Sequence, residues 1–119
     1  MSKNSAYQES RRQATIFPKQ QAILQQLGEN ITLAMKRRSL TQQMMAERTG
    51  VSRLTVRHIQ QGSPRVSMGH YLLALSVLSL ADDLAQVAKD DGFGRRLQDI
   101  AILDKNKRDN KMASKGKSS

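Results

Sequence analysis

Apolar residues return at three- and four-residue steps along most of this chain, and the breaks between runs are marked by Ser, Thr, Gly and Pro. From 20 to 38, Ile23, Leu27, Ile31, Ala34 and Met35 lay one stripe on a helix that ends in Lys36, Arg37 and Arg38. Cations there suit the negative end of a helix dipole. The stretch "RRSLTQQ" breaks this helix, and Thr41 is placed to cap the next, over about 42 to 48, with Met45 and Ala46 inward and Gly50 as its stop. Ser52 is a natural N-cap for a third helix running to about Gln60; Val51, Val56 and Ile59 face inward, Gly62 ends it, and Pro64 lies just beyond. After "GSPRV" comes a strongly apolar helix from about Ser67 to Leu78. Ser79 and Asp82 have capping-box spacing, which predicts a fifth helix with Leu84 and Val87 inward. "DDGFG" closes the compact region, and "RRLQDIAIL" predicts one more helical turn or a docking strand.

The pattern therefore predicts an all-α, five-helix domain over 20 to 103. A polar arm covers 1 to 19, where "ATIF" could pair as a short strand. The basic tail from 104 to 119 is too polar to fold alone and is expected to be disordered. Composition agrees with small helices: of 119 residues, 38% are hydrophobic and only 3% aromatic, with no Trp, so the core must rest on Leu, Ile, Val, Met and Ala. With no Cys, disulfides and thiolate metal sites are excluded, and neither His has ligand-like neighbours. No cofactor is expected. Nor is an enzyme, since there is no metal cluster, no nucleophile with a base, and no glycine-rich phosphate loop. Residues 1 to 20 lack the apolar core of a secretory signal. The longest apolar run, "YLLALSVLSLA", falls far short of the roughly 20 residues needed to span a bilayer. The expectation is a cytoplasmic protein with no membrane partner.

Charge changes the picture more through its distribution than through its net value of +10. Lys36, Arg37, Arg38, Arg48, Arg53, Arg57 and Arg65 face a single acidic residue, Glu47, between 36 and 65. Asp82, Asp83, Asp90 and Asp91 dominate the segment after it, and the tail turns basic again. Such asymmetry points to an anionic partner at the middle of the chain.

From Gln42 to Gln61 the pattern is that of a helix-turn-helix. Ala46 is small where the two helices cross, Gly50 supplies a left-handed turn, and Val51, Val56 and Ile59 hold the second helix steeply on the first. That packing projects the N-terminus of the second helix into a DNA major groove. The face left over, Ser52, Arg53, Leu54, Arg57 and His58, is the candidate base-reading set. Arg53 can pair with a guanine edge and Leu54 with a thymine methyl, while Arg57 and His58 reach bases or phosphate. Thr55 and Arg38 are phosphate candidates, although for Arg38 a helix-end dipole match explains the charge equally well.

The segments "LGENITLAMKRRS", "LTQQMMAERTG" and "VSRLTVRHIQQG" resemble, closely, the Xre/Cro family of bacterial and phage repressors, over about residues 20 to 90. The resemblance implies a lambda-repressor-like fold, sequence-specific binding of double-stranded operator DNA, and a phosphate contact from Gln42, as the family's glutamine at that place makes. Met44 and Met45 stand where Leu is more usual, and Gln60 replaces a common Glu. The following stretch, "GSPRVSMGHYLLALSVLSLADDLAQVAKDD" with "GFGRRLQDI", is similar to HipB-like antitoxins, encoded beside HipA-type serine/threonine kinase toxins. That subgroup implies a homodimeric autorepressor that holds the kinase on DNA. In some such systems the toxin is divided into two polypeptides.

The helix from Ser67 to Leu78 carries more apolar surface than one core face needs. Tyr71, Leu72, Leu75 and Leu78 form the stripe expected at a two-fold dimer interface. Two other readings stay open from the residues alone: a stand-alone Xre regulator without a toxin, and a protein-binding adaptor whose helix-turn-helix no longer binds DNA.

Overall fold

The computed structural model describes residues 14–117 and is all-helical over them, with no strand. The chain divides into two units between Leu84 and Ala85. The first holds α1 (Pro18–Arg37), α2 (Gln42–Thr49), α3 (Arg53–Gln60), α4 (Met68–Val77) and the single turn α5 (Ala81–Leu84). The second holds one long helix, α6 (Gly92–Lys117). Most of the expected N-terminal arm, residues 1–13, lies outside the described residues, and "ATIF" at 14–17 forms no strand.

Helix starts are set by side chains that accept an otherwise orphaned backbone N–H. Pro18 opens α1, where its missing N–H costs nothing, and Gln20 Oε1 accepts from the Phe17 N–H at 3.0 Å. Thr41, Ser52 and Ser67 cap α2, α3 and α4, accepting from the N–H groups of Met44, Thr55 and His70 at 3.1, 3.0 and 3.2 Å.

Three helices end in the same way. After α1, Leu40 N–H donates to Met35 C=O at 2.9 Å and Ser39 N–H to Lys36 C=O at 3.0 Å. After α4, Leu80 N–H donates to Leu75 C=O at 2.8 Å and Ser79 N–H to Ser76 C=O at 3.0 Å. After α3, Ser63 and Gly62 donate to His58 and Ile59, both at 3.0 Å. These are paired Schellman bonds around a left-handed residue. Glycine fills that position at 62 (φ 70°), but serine fills it at 39 (φ 52°) and 79 (φ 62°). The capping box expected from Ser79 and Asp82 is therefore absent. An N-cap needs extended backbone, whereas Ser79 terminates α4 so that Leu80 can turn back onto the core.

The core is formed around Ile31, Met35, Met45, Val56, Ile59 and Leu78, all with almost no exposed surface. Each fully buried side chain of this size contributes about 1.5–3 kcal/mol relative to an exposed one. Ile23, expected on the α1 stripe, is 64% exposed, so the buried stripe begins at Leu27 instead. Val87 is likewise exposed, and the expected fifth helix shrinks to the one turn of α5.

One backbone approach organises the first unit. A Cβ built on Gly28 would meet Gln60 O at 2.5 Å and Ile59 O and Gly62 N at 2.7 Å each. α1 thus lies directly on the backbone at the end of α3, and Gln21 Nε2 closes the contact by donating to Gly62 C=O at 3.0 Å. Glycine within a helix costs up to about 1 kcal/mol relative to alanine; here the close crossing is what requires it.

In the second unit, helix replaces both the single turn or docking strand expected at 95–103 and the disordered tail expected from 104, and it continues to Lys117. Asp91 starts it, its Oδ1 accepting from Gly94 N–H at 2.9 Å. The polar tail does not have to nucleate a helix of its own. It propagates one begun at 92, which takes one hydrogen bond per residue fixed. Oppositely charged pairs one turn apart, Asp104 with Arg108 and Lys105 with Asp109, favour the extension. No helix among the described residues is long and apolar enough to cross a membrane.

Candidate nucleic-acid interface

The candidate face is presented by α2, the turn at Gly50–Ser52, and α3. Gly50 takes a left-handed conformation (φ 77°) and donates its N–H to Ala46 C=O at 2.9 Å, ending α2 sharply. Thr49 Oγ1 donates back to Met45 C=O at 2.7 Å. Its position lets the chain reverse while Val51 packs against the core. Ala46 is 8% exposed beneath the pair, consistent with a small residue at a close crossing.

α3 divides into two faces. Val56 and Ile59 are each 1% exposed, packed among Ile31, Met35 and Met45. On the other side Arg53, Leu54 and Arg57 are exposed, with Leu54 56% open to solvent. Leu54, an apolar side chain held outward on a short helix between two arginines, is not part of the core. Ser52 is exposed and Thr55 and His58 are half-buried. Ser52 Oγ caps the helix and lies 2.9 Å from Thr55 Oγ1, so the two hydroxyls hold one another at the helix start. The five base-reading candidates lie on this one short helix and its N-cap, with Ser52, Arg53 and Leu54 at its first turn.

Gln42 opens α2, and its Nε2 donates to Gln60 Oε1 at 2.7 Å across the two helices. Gln60 in turn donates to Met35 Sδ at 3.6 Å. This chain fixes the Gln42 amide beside the start of α2, with one N–H and the carbonyl oxygen left over for an outside group. The link joins residues 18 positions apart and has no local signature in the sequence. Its trace was Gln60 itself, an uncharged acceptor at a place where the resembling family commonly has Glu.

No family model and no curated protein matches the chain.

Two groups of expected site residues have structural roles within the chain itself. Arg38 Nη1 donates to Ala34 C=O and Nη2 to Leu78 C=O, both at 3.0 Å. Its guanidinium therefore caps the C-terminal carbonyls of α1 and α4 together, a structural role beside the phosphate contact expected of it. Fixed on two carbonyls, it ties the two helix ends and offsets both dipoles. Of the expected dimer stripe, Tyr71, Leu75 and Leu78 are 5%, 8% and 0% exposed inside this chain's own core. Only Leu72, at 39%, remains open. Tyr71, Leu75 and Leu78 join Ile31, Met35, Met45, Val56 and Ile59 in one core. Tyr71 also donates its hydroxyl to Ser63 C=O at 2.7 Å, and burial raises its pKa above the ordinary tyrosine value.

Proposed function

We propose that this chain is a sequence-specific DNA-binding transcriptional autorepressor that reads operator DNA with the outer face of α3. The observation that carries the reading is the outward placement of Arg53, Leu54 and Arg57 on a helix whose opposite face is locked into the core. Arginine supplies two parallel donors for a guanine edge, and a leucine beside it suits a thymine methyl. Gln42, steadied by Gln60, and Thr55, beside the Ser52 cap, stand where phosphate contacts would fix register. Lys36, Arg37, Arg48 and Arg65 add exposed positive charge in the same unit. The pair α2–α3 is then a helix-turn-helix, and the first unit a lambda-repressor-like domain of a chain that acts as a homodimer.

Under the same proposal the repressor is the HipB-like antitoxin of a HipA-type kinase toxin, whole or divided. This part rests on the resemblance of residues 62 to 100 and is tested by co-purification with the product of the adjacent reading frame.

Mobility-shift titration against the DNA upstream of its own gene, set beside random DNA, tests the main claim. Arg53→Ala is expected to cost about 1–3 kcal/mol on the specific site and to relax preference at one base pair. An equal loss on both DNAs would make Arg53 a phosphate contact instead. Weak binding that does not change with salt would overturn the DNA reading and favour a protein adaptor, because several phosphate contacts impose a steep salt slope.

A further inference from the structure

α6 exposes apolar residues on a unit in which no described residue is buried. Phe93, Leu97 and Ile100 are 66%, 51% and 56% exposed. Their steps of four and then three residues place them on one seam, the spacing of a short coiled-coil stripe. The same seam continues C-terminally through Asp104 to Lys107 and Lys111, while Asp90 and Asp91 stand just before the helix. Along this seam the helix is thus apolar at its first turns, acidic just before its entry and basic further along, while exposed Ile102 and Leu103 lie off it.

We infer that α6 is a self-association surface, and that its occupant is α6 of a second copy, running antiparallel. Orientation follows from the charges. A parallel pair would set Lys107 against Lys107 and Lys111 against Lys111 along the seam, and like charges there oppose pairing. Antiparallel pairing with Leu97 level with Ile100 of the other copy buries the apolar stripe on itself. It also sets Phe93 level with Asp104 and brings Lys107 opposite Asp90. Asp90 already pairs with Arg95, yet both side chains are mostly exposed, so the carboxylate can accept a second cation. The Asp104 carboxylate meanwhile lies at the positive N-terminal end of the opposing helix. The seam spans only about two turns, so the pair is a modest, reversible one. This inference does not rest on the DNA reading, and it is measured with no DNA present.

Sedimentation equilibrium of the full chain is the first test. The parent protein is expected to show dimer at micromolar concentration, and Leu97→Asp with Ile100→Asp to show monomer with the first unit still folded. Orientation is read by disulfide trapping, which the absence of cysteine in the chain makes clean. Phe93→Cys mixed with Asp104→Cys is expected to cross-link. Phe93→Cys alone is not, because its two copies lie roughly 16 Å apart along an antiparallel pair, beyond the reach of a disulfide. A parent chain that stays monomeric, a double aspartate variant that stays dimeric, or efficient Phe93 self-cross-linking would each overturn the inference. It would also be overturned if the aspartates left the mass unchanged while Lys107→Glu with Lys111→Glu flattened the salt slope on DNA. That result would make the basic end a nucleic-acid contact.

Discussion

Arg38 shows how little a residue's charge says about its use. In the sequence it is the third of three cations at a helix end, and its neighbours Lys36 and Arg37 are free in solvent. In the fold its two terminal nitrogens are both engaged on main-chain carbonyls of different helices. Arg38→Ala is therefore expected to lower stability by about 1–2 kcal/mol, read as a shift in urea midpoint, since hydrogen bonds from charged donors exceed neutral ones. DNA affinity of the folded variant should be unchanged. A shallower salt slope without loss of stability would return Arg38 to the phosphate contacts. Gln42 is the contrasting case: its link to Gln60 positions it without using up its bonding capacity.

At the scale of elements, helix ends separate what was legible from what was not. Thr41, Ser52 and Ser67 act as N-caps because a hydroxyl one position before an apolar periodic run has a simple local role. Gly50 and Gly62 end their helices for an equally local reason, a positive φ. Ser39 and Ser79 were illegible, because serine at a left-handed position is disfavoured and is held there by the following leucine entering the core. The same split runs through the candidate site. The two faces of α3 could be read from Val56 and Ile59 alone, whereas the division of α4 into buried Tyr71, Leu75 and Leu78 and open Leu72 depended on which neighbours packed beneath it. Ser79→Gly is expected to stabilise the protein by up to about 1 kcal/mol, measured as a raised melting temperature, since glycine removes most of the left-handed penalty. A drop instead would mean that the serine side chain contributes something its backbone geometry does not reveal.

For the molecule as a whole, the division between Leu84 and Ala85 puts the proposed recognition and the inferred self-pairing on different parts of one short chain. Each can then be damaged separately: aspartates on α6 should abolish pairing while leaving the first unit folded. The contact of Gly28 with the end of α3 works in the other direction, because it belongs to folding and to the proposed recognition at once. Gly28→Ala must push α1 away from the main chain of residues 59–62, with an expected cost of about 1–3 kcal/mol in denaturant titration. Mechanically, α3 is a lever held at its far end by Gly28 and Gln21, with Arg53 at the opposite end, beside the turn that joins it to α2. Its eight residues make an arm of about 12 Å, so a tilt of roughly 10° at the held end swings the opposite end by about 2 Å. Paired hydrogen bonds to a base edge do not survive such a displacement, whereas long-range attraction to phosphates hardly notices it. A single methyl group on α1, remote from any DNA, would then blunt discrimination between sequences before it weakened attachment to DNA as such.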